Sequence, residues 1–226
     1  MLHKETVTEQ MWKLLQRLMK DEKLKEFNLV GGTALSLMIG HRLSIDLDLF
    51  STQDFDVQSM LSHLSREHPV TVRELLNNTM LLDIGKVKVD ILAHKYPWQK
   101  PVQTQQGIRL VSLHDIGAMK LHAIFQNGTR IKDFVDMYFL LEYHPLKTYL
   151  DAYQNKYNGN PSLVAHSLLQ HEKIDREEKV KLLKGKETSW AKMTHRIKKA
   201  VFNPSFDFSE PKNQMPPPNK GRGFRR

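Results

Sequence analysis

The chain has 226 residues, 40% of them hydrophobic, no cysteine and a formal net charge of +9. Its length and apolar content suit one compact domain with a helical extension, or two small ones. The lack of cysteine excludes disulfides and thiolate metal sites, no apolar run is long enough to cross a bilayer, and the start Met1-Leu2-His3-Lys4-Glu5 lacks a signal-like apolar stretch, so a cytoplasmic protein is expected.

The first predicted element is an amphipathic helix over about Glu9 to Lys20. Met11, Trp12, Leu14, Leu15, Leu18 and Met19 recur there at helical spacing. Phe27 to Val30 reads as a short buried strand. Gly31-Gly32 then allows a sharp turn and close backbone approach to a ligand. The mostly apolar stretch Thr33 to Ile39 reads as a helix whose free N–H groups face that turn, where a triphosphate fits. Ser36, one turn in, is a further candidate phosphate contact.

Next comes Asp46-Leu47-Asp48-Leu49-Phe50. On a strand, Asp46 and Asp48 share one face, while Ile45, Leu47 and Leu49 are expected to enter the core. Two carboxylates about 4 Å apart repel by roughly 4 kcal/mol at an effective dielectric near 20. A Mg²⁺ ion between them relieves this and keeps positions open for substrate phosphates. Two such ions can clamp an in-line displacement. The alternative is a solvated strand face.

Residues 70–76 and 79–84 read as two strands around Asn77-Asn78. Lys86 to Leu92 alternates as another strand. If it lies beside the Asp46–Asp48 strand, Asp90 completes a three-carboxylate cluster as metal ligand or general base. Otherwise Asp90 is a surface acid paired with Lys86 or Lys88.

Ser112 and Asp115 form a capping-box pattern before a helix over Ile116 to Phe125. Asn127-Gly128 ends it. Thr129 is expected to cap a second helix, from Arg130 to about Tyr143. Lys120 is a candidate triphosphate cation, and Asp133 a candidate companion that orients Lys120 or assists the nucleophile. Ordinary helix electrostatics also accounts for Asp133. His41, beside the carboxylate strand, is a candidate substrate contact.

Residues 184–226 hold eleven basic and three acidic side chains, so the first 183 residues are nearly balanced. A basic helix over about Lys184 to Lys199, with Trp190, Met193, Ile197 and Val201 as its apolar set, leads into a tail with Pro216-Pro217-Pro218 and Phe224. The tail is expected to be disordered. Its charge would attract RNA, with Phe224 adding stacking, or would dock an acidic partner.

Two segments together carry a resemblance. Gly31-Gly32-Thr33-Ala34-Leu35 with Gly40-His41-Arg42-Leu43-Ser44-Ile45-Asp46-Leu47-Asp48-Leu49-Phe50 resembles the first motif of the AbiEii-type nucleotidyltransferases. Lys120-Leu121-His122-Ala123 with Arg130-Ile131-Lys132-Asp133-Phe134-Val135-Asp136-Met137-Tyr138 resembles their second motif. These are toxins of toxin–antitoxin and phage-defence modules within the DNA polymerase beta-like superfamily. The resemblance anchors about residues 28–143. With the composition read above, the expected organisation is an α/β (α+β) nucleotidyltransferase domain with a mixed sheet over 1–111, as the resemblance implies, then a helical domain over 112–202 and a disordered basic tail over 203–226. The resemblance further implies that Asp46 and Asp48 bind metal, that Gly32 and Thr33 hold phosphates with Gly31 beside them, and that Lys120 and Asp133 are essential companions. Arg42 and Ser44 match the pattern and would shape the loop or touch the nucleotide. Lys132 stands where relatives often carry arginine, and it cannot form a bidentate fork. The implied substrate is an NTP with Mg²⁺ or Mn²⁺, the implied acceptor an RNA such as a tRNA 3′ end, and the implied partner an antitoxin. Two rival readings are a nucleotide-binding module without turnover and an RNA-binding protein that works through its tail.

Overall fold

The computed structural model describes residues 1–175 and 177–209. The basic tail beyond them, with Phe224, lies outside the described residues. Seven strands form one sheet in the order β3-β4-β5-β2-β1-β7-β6. They are β1 (Asn28–Leu29), β2 (Asp46–Ser51), β3 (Val70–Leu76), β4 (Thr79–Ile84), β5 (Val87–Ala93), β6 (Gln103–Gln105) and β7 (Ile108–Leu110). The sheet is mixed: β2 runs parallel to β5 and β1 parallel to β7, while the other neighbours are antiparallel.

Local chemistry fixes the elements. In β2 the side chains alternate, with Leu47, Leu49 and Ser51 buried and Asp46, Asp48 and Phe50 on the half-open face. Burying each leucine favours the fold by about 2 kcal/mol. Ile45 departs from expectation. It precedes the strand and is 63% exposed, because the alternation starts only at Asp46. The 70–76 and 79–84 strands pair as predicted, with Asn78 in the left-handed turn conformation (φ 57°).

Helix α1 (Glu9–Lys20) is capped by Thr8, whose hydroxyl accepts from the Met11 N–H, and it buries Met11, Leu14, Leu15, Leu18 and Met19. Helix α2 (Gly31–Ile39) begins at the glycine pair itself and is buried on nearly every side. Helix α3 (Val57–Glu67) flanks the hairpin. Helix α4 (Leu113–Gln126) is capped by Ser112 as predicted. Helix α5 (Ile131–Leu140) has Arg130, not Thr129, at its cap, with no side-chain bond there. Thr129 instead offers its carbonyl to the Asp175 N–H at 2.9 Å.

Helices α6 (Leu146–Tyr157), α7 (Pro161–Ser167) and α8 (Trp190–Phe202) complete the second half. One continuous apolar core runs from Leu2 to Ala200, so the sheet and the helical half share it. The stretch 203–209, expected to be disordered, is docked. The Pro204 carbonyl accepts from the Lys147 N–H at 2.8 Å, and Phe208 packs against the core.

Candidate active site

Strand β2 carries the centre of the site. Its register with β5 sets Asp48 opposite Asp90 and Asp46 opposite Lys88. The start of α2 lies over this face. Gly31 has φ +66°, and a Cβ there would sit 2.4 Å from Asp48 Oδ2. A Cβ on Gly32 would sit 2.3 Å from the Arg42 guanidinium. Only glycine permits both approaches.

Asp46, Asp48, Asp90, Gly31 and Gly32 line a cavity of about 770 Å³ together with Arg42, Ser44, Lys120 and Asp133. Asp46 Oδ1 is buried and has no hydrogen-bond partner among the described residues. Burial, Asp90 and Asp46 push the Asp48 carboxyl up to about 6, against a smaller opposing pull from Lys120. An unpartnered carboxylate oxygen next to a second destabilised carboxylate fits a hard divalent cation. Among the described residues no three acidic or imidazole groups already form a metal cage, so substrate oxygens and water would supply the remaining ligands.

Asp90 is engaged by Arg73, whose Nη2 donates to Asp90 Oδ1, while Arg73 Nε lies 3.6 Å from Asp83. The partner is therefore neither Lys86 nor Lys88. Spacing along the chain does not disclose this pairing, because Arg73 on β3 reaches Asp90 on β5 across the intervening β4.

Lys120 and Asp133 meet as expected, Nζ to Oδ1 at 2.7 Å. Asp136 is the larger surprise. Lys120 Nζ also lies 2.7 Å from Asp136 Oδ2, and Arg42 grips the same carboxylate in a fork, Nε at 2.6 Å and Nη2 at 2.9 Å. His41 Nε2 is 2.8 Å from Asp136 Oδ1. Burial alone would raise the Asp136 pKa, but Arg42 and Lys120 outweigh it and hold the carboxyl well below its usual range. Burial would likewise discharge Lys120, yet Asp136 and Asp133 hold its ammonium above its usual value. The one signal for this role was the i, i+3 spacing of Asp133 and Asp136 on an apolar helix. His41 is fully buried, burial lowers its pKa, and it takes no place in the cavity lining.

Two expected phosphate contacts are corrected. The Thr33 hydroxyl is buried and donates to the Asp46 carbonyl, and its oxygen lies 2.8 Å from Ser44 Oγ. It braces the start of β2. Ser36 is fully buried outside the cavity, since one turn into α2 its side chain faces the core.

The cavity also gathers residues that periodicity could not reveal. Among the described residues of 175–183 there is no helix, yet this stretch crosses the site. The Lys181 carbonyl accepts from Leu43 N–H at 2.8 Å, Leu183 N–H donates to the His41 carbonyl at 3.0 Å, and Glu178 pairs with Lys132 at 2.6 Å. This strap brings Lys179 and Lys181 to the cavity beside Lys88, Arg130 and Lys132. None of the described residues from 184 onward lines it. Among the described residues the cavity's cations therefore all precede residue 184.

Comparison with known proteins places the fold. Two crystal structures from Helicobacter pylori share the fold. One, assigned as a nucleotidyltransferase, superposes with a TM-score of 0.54 at 18% identity, covering 86% of this chain and 94% of the other. The second, JHP933, gives 0.52 at 18% identity, over 87% and 92%. An uncharacterized protein of Aquifex aeolicus (strain VF5) is 33% identical over 159 residues, 65% of this chain and 74% of the relative. Among the described residues no helix is long and apolar enough to cross a membrane. The family described as nucleotidyl transferase AbiEii toxin, type IV TA system, matches residues 13–209, and the chain belongs to this family of nucleotidyltransferases.

Proposed function

We propose that this protein transfers a nucleoside monophosphate from an NTP to a terminal hydroxyl of RNA, such as a tRNA 3′ end, using Mg²⁺ or Mn²⁺, and that it acts as a toxin held in check by an antitoxin. The observation that carries this reading is the meeting of Asp46, Asp48 and the Gly31 backbone at one cavity. Asp46 and Asp48 would hold the cation, which supplies charge neutralisation at the triphosphate. Gly31 and Gly32 open the start of α2 to the phosphates.

In the reaction the acceptor oxygen bonds to the α-phosphorus, and the bond from that phosphorus to the bridging oxygen of the β-phosphate breaks. Pyrophosphate leaves with the bonding electrons. The hydroxyl proton passes to Asp90, the neighbour of Asp48. Lys120 faces the developing negative charge, and Asp133 and Asp136 fix its position. Arg42 and Ser44 shape the loop that leads into β2. Positioning and electrostatics together serve such a transfer.

The ring of Lys88, Arg130, Lys132, Lys179 and Lys181 at the cavity supports a polyanionic acceptor. The test is incubation with each α-labelled NTP, Mg²⁺ and total RNA, comparing the wild type with Asp48→Ala. Label entering RNA only with the wild type is the expected result. Label in protein, or no pyrophosphate release from any NTP, would contradict it.

A further inference from the structure

One end of the cavity is unlike the rest. Along β2 and β5 the cavity face reads Asp46 beside Lys88, then Asp48 beside Asp90, then Phe50 beside Leu92. The strap meets Leu43, three residues before Asp46, so Lys179 and Lys181 gather at the first of these levels. At the last level the lining turns aromatic, with Phe50, His94, His122 and Tyr157.

These rings come from four elements and meet face and edge. His122 stacks on Tyr157 with centroids 4.1 Å apart and planes 8° apart. The Tyr157 hydroxyl is 3.0 Å from His94 Nε2, and the His94 and Phe50 rings lie 5.6 Å apart. All four are half-buried: Phe50 and Tyr157 back onto the core, and all four rings line the cavity. Burial, with Lys156 and His122 nearby, pushes the His94 pKa down to about 4, and burial lowers that of His122. Both rings are therefore neutral at neutral pH, which suits a π-surface and not a phosphate grip. His122 Nδ1 is buried without a partner among the described residues, so its hydrogen-bonding capacity is unused.

We propose that the Phe50–His94–His122–Tyr157 wall is the subsite for the base of the donor nucleoside triphosphate, an inference that rests on the nucleotidyl-transfer reading above. Phe50 stands two residues beyond Asp48 on the same face, about 7 Å along the strand, the scale of one ribose. A phosphate held at Asp48 thus places its base on the rings. The cationic end is left for the acceptor. Base stacking tolerates any base, so the wall sets affinity more than base choice.

The test compares Tyr157→Leu and Tyr157→Phe with the wild type in equilibrium binding of each NTP, without acceptor, and of tripolyphosphate as a baseless probe. Tyr157→Leu is expected to weaken NTP binding roughly 5- to 100-fold and to leave tripolyphosphate binding unchanged, while Tyr157→Phe stays within about twofold. Should Tyr157→Leu fail to fold by circular dichroism, His122→Leu carries the same comparison. Parallel loss of NTP and tripolyphosphate binding, or intact NTP binding with a raised acceptor KM, would overturn the inference. A wild type that binds neither probe would instead overturn the nucleotide reading beneath it.

Discussion

Asp48 on β2 and Asp90 on β5 are register partners on adjacent parallel strands, two acids placed side by side at one level of the sheet. The arrangement carries a stability cost that a cation can relieve. With its folded pKa raised to about 6 from 3.8, ionisation of Asp48 favours unfolding. The wild type therefore loses stability as pH rises through about 4 to 6 and stays low above that. Asp48→Asn is expected to be more stable than the wild type at pH 8, by of order 2 kcal/mol, with the difference vanishing near pH 4. Urea midpoints without divalent cation measure this. Adding Mg²⁺ narrows the gap by stabilising the wild type alone. Transfer activity moves the opposite way and is lost in the variant.

The Asp136 carboxylate joins Arg42, Lys120 and His41 below the site. Asp136→Asn leaves two buried cations under-compensated and is expected to cost about 3–5 kcal/mol at pH 7. The sign is that of a depressed acid. The wild-type advantage is full above the ordinary carboxylate range and shrinks as pH falls toward the low folded pKa. Denaturation at pH 7 and at pH 3 compares the two. An equal deficit at both would show that the charge is not what matters.

The carboxylate strand, the glycine turn and the 70–84 hairpin were legible because each depends on neighbours in sequence: alternation for β2, backbone freedom for Gly31, a turn pair for Asn77-Asn78. What was not legible depends on register and crossing. Arg73 reaches Asp90 only because β4 lies between their strands. Lys179 and Lys181 arrive on a segment with no periodicity, placed by bonds to His41 and Leu43, roughly 140 residues earlier. Thr33 and Ser36 were misread for a related reason. Both fall on the core side of α2, a facing that a short, mostly apolar helix does not disclose because apolar residues surround it on every side. The charge count pointed to the C-terminal end, since composition does not reveal which lysines face the carboxylates.

Gly31 and Gly32 separate two kinds of intolerance. Gly31→Ala meets both a left-handed φ and Asp48, so it is expected to cost about 1–2 kcal/mol and to lower activity at least tenfold. Gly32→Ala meets only the Arg42 guanidinium, which its fork with Asp136 holds in place, so it is expected to lower stability without the backbone strain of Gly31→Ala, and Arg42→Lys, which loses that fork, is not expected to rescue it. Steady-state rates and thermal melts of the three variants read this out.

The strap lysines should govern the acceptor and not the donor. The double variant Lys179→Ala, Lys181→Ala is expected to raise the acceptor KM severalfold with the NTP KM unchanged. It should also flatten the salt dependence of RNA binding by about one unit of logarithmic slope. An unchanged slope would remove these residues from the acceptor path.

On the proposed reaction, Asp46 and Asp48 hold a divalent cation with the triphosphate beneath the glycine turn. Electron paramagnetic resonance titration of Mn²⁺ into the protein with a non-hydrolysable NTP tests it directly. The wild type is expected to show a saturable site that needs the nucleotide for full strength and disappears in Asp46→Asn and in Asp48→Asn. Equal Mn²⁺ binding by the wild type and both variants would contradict it.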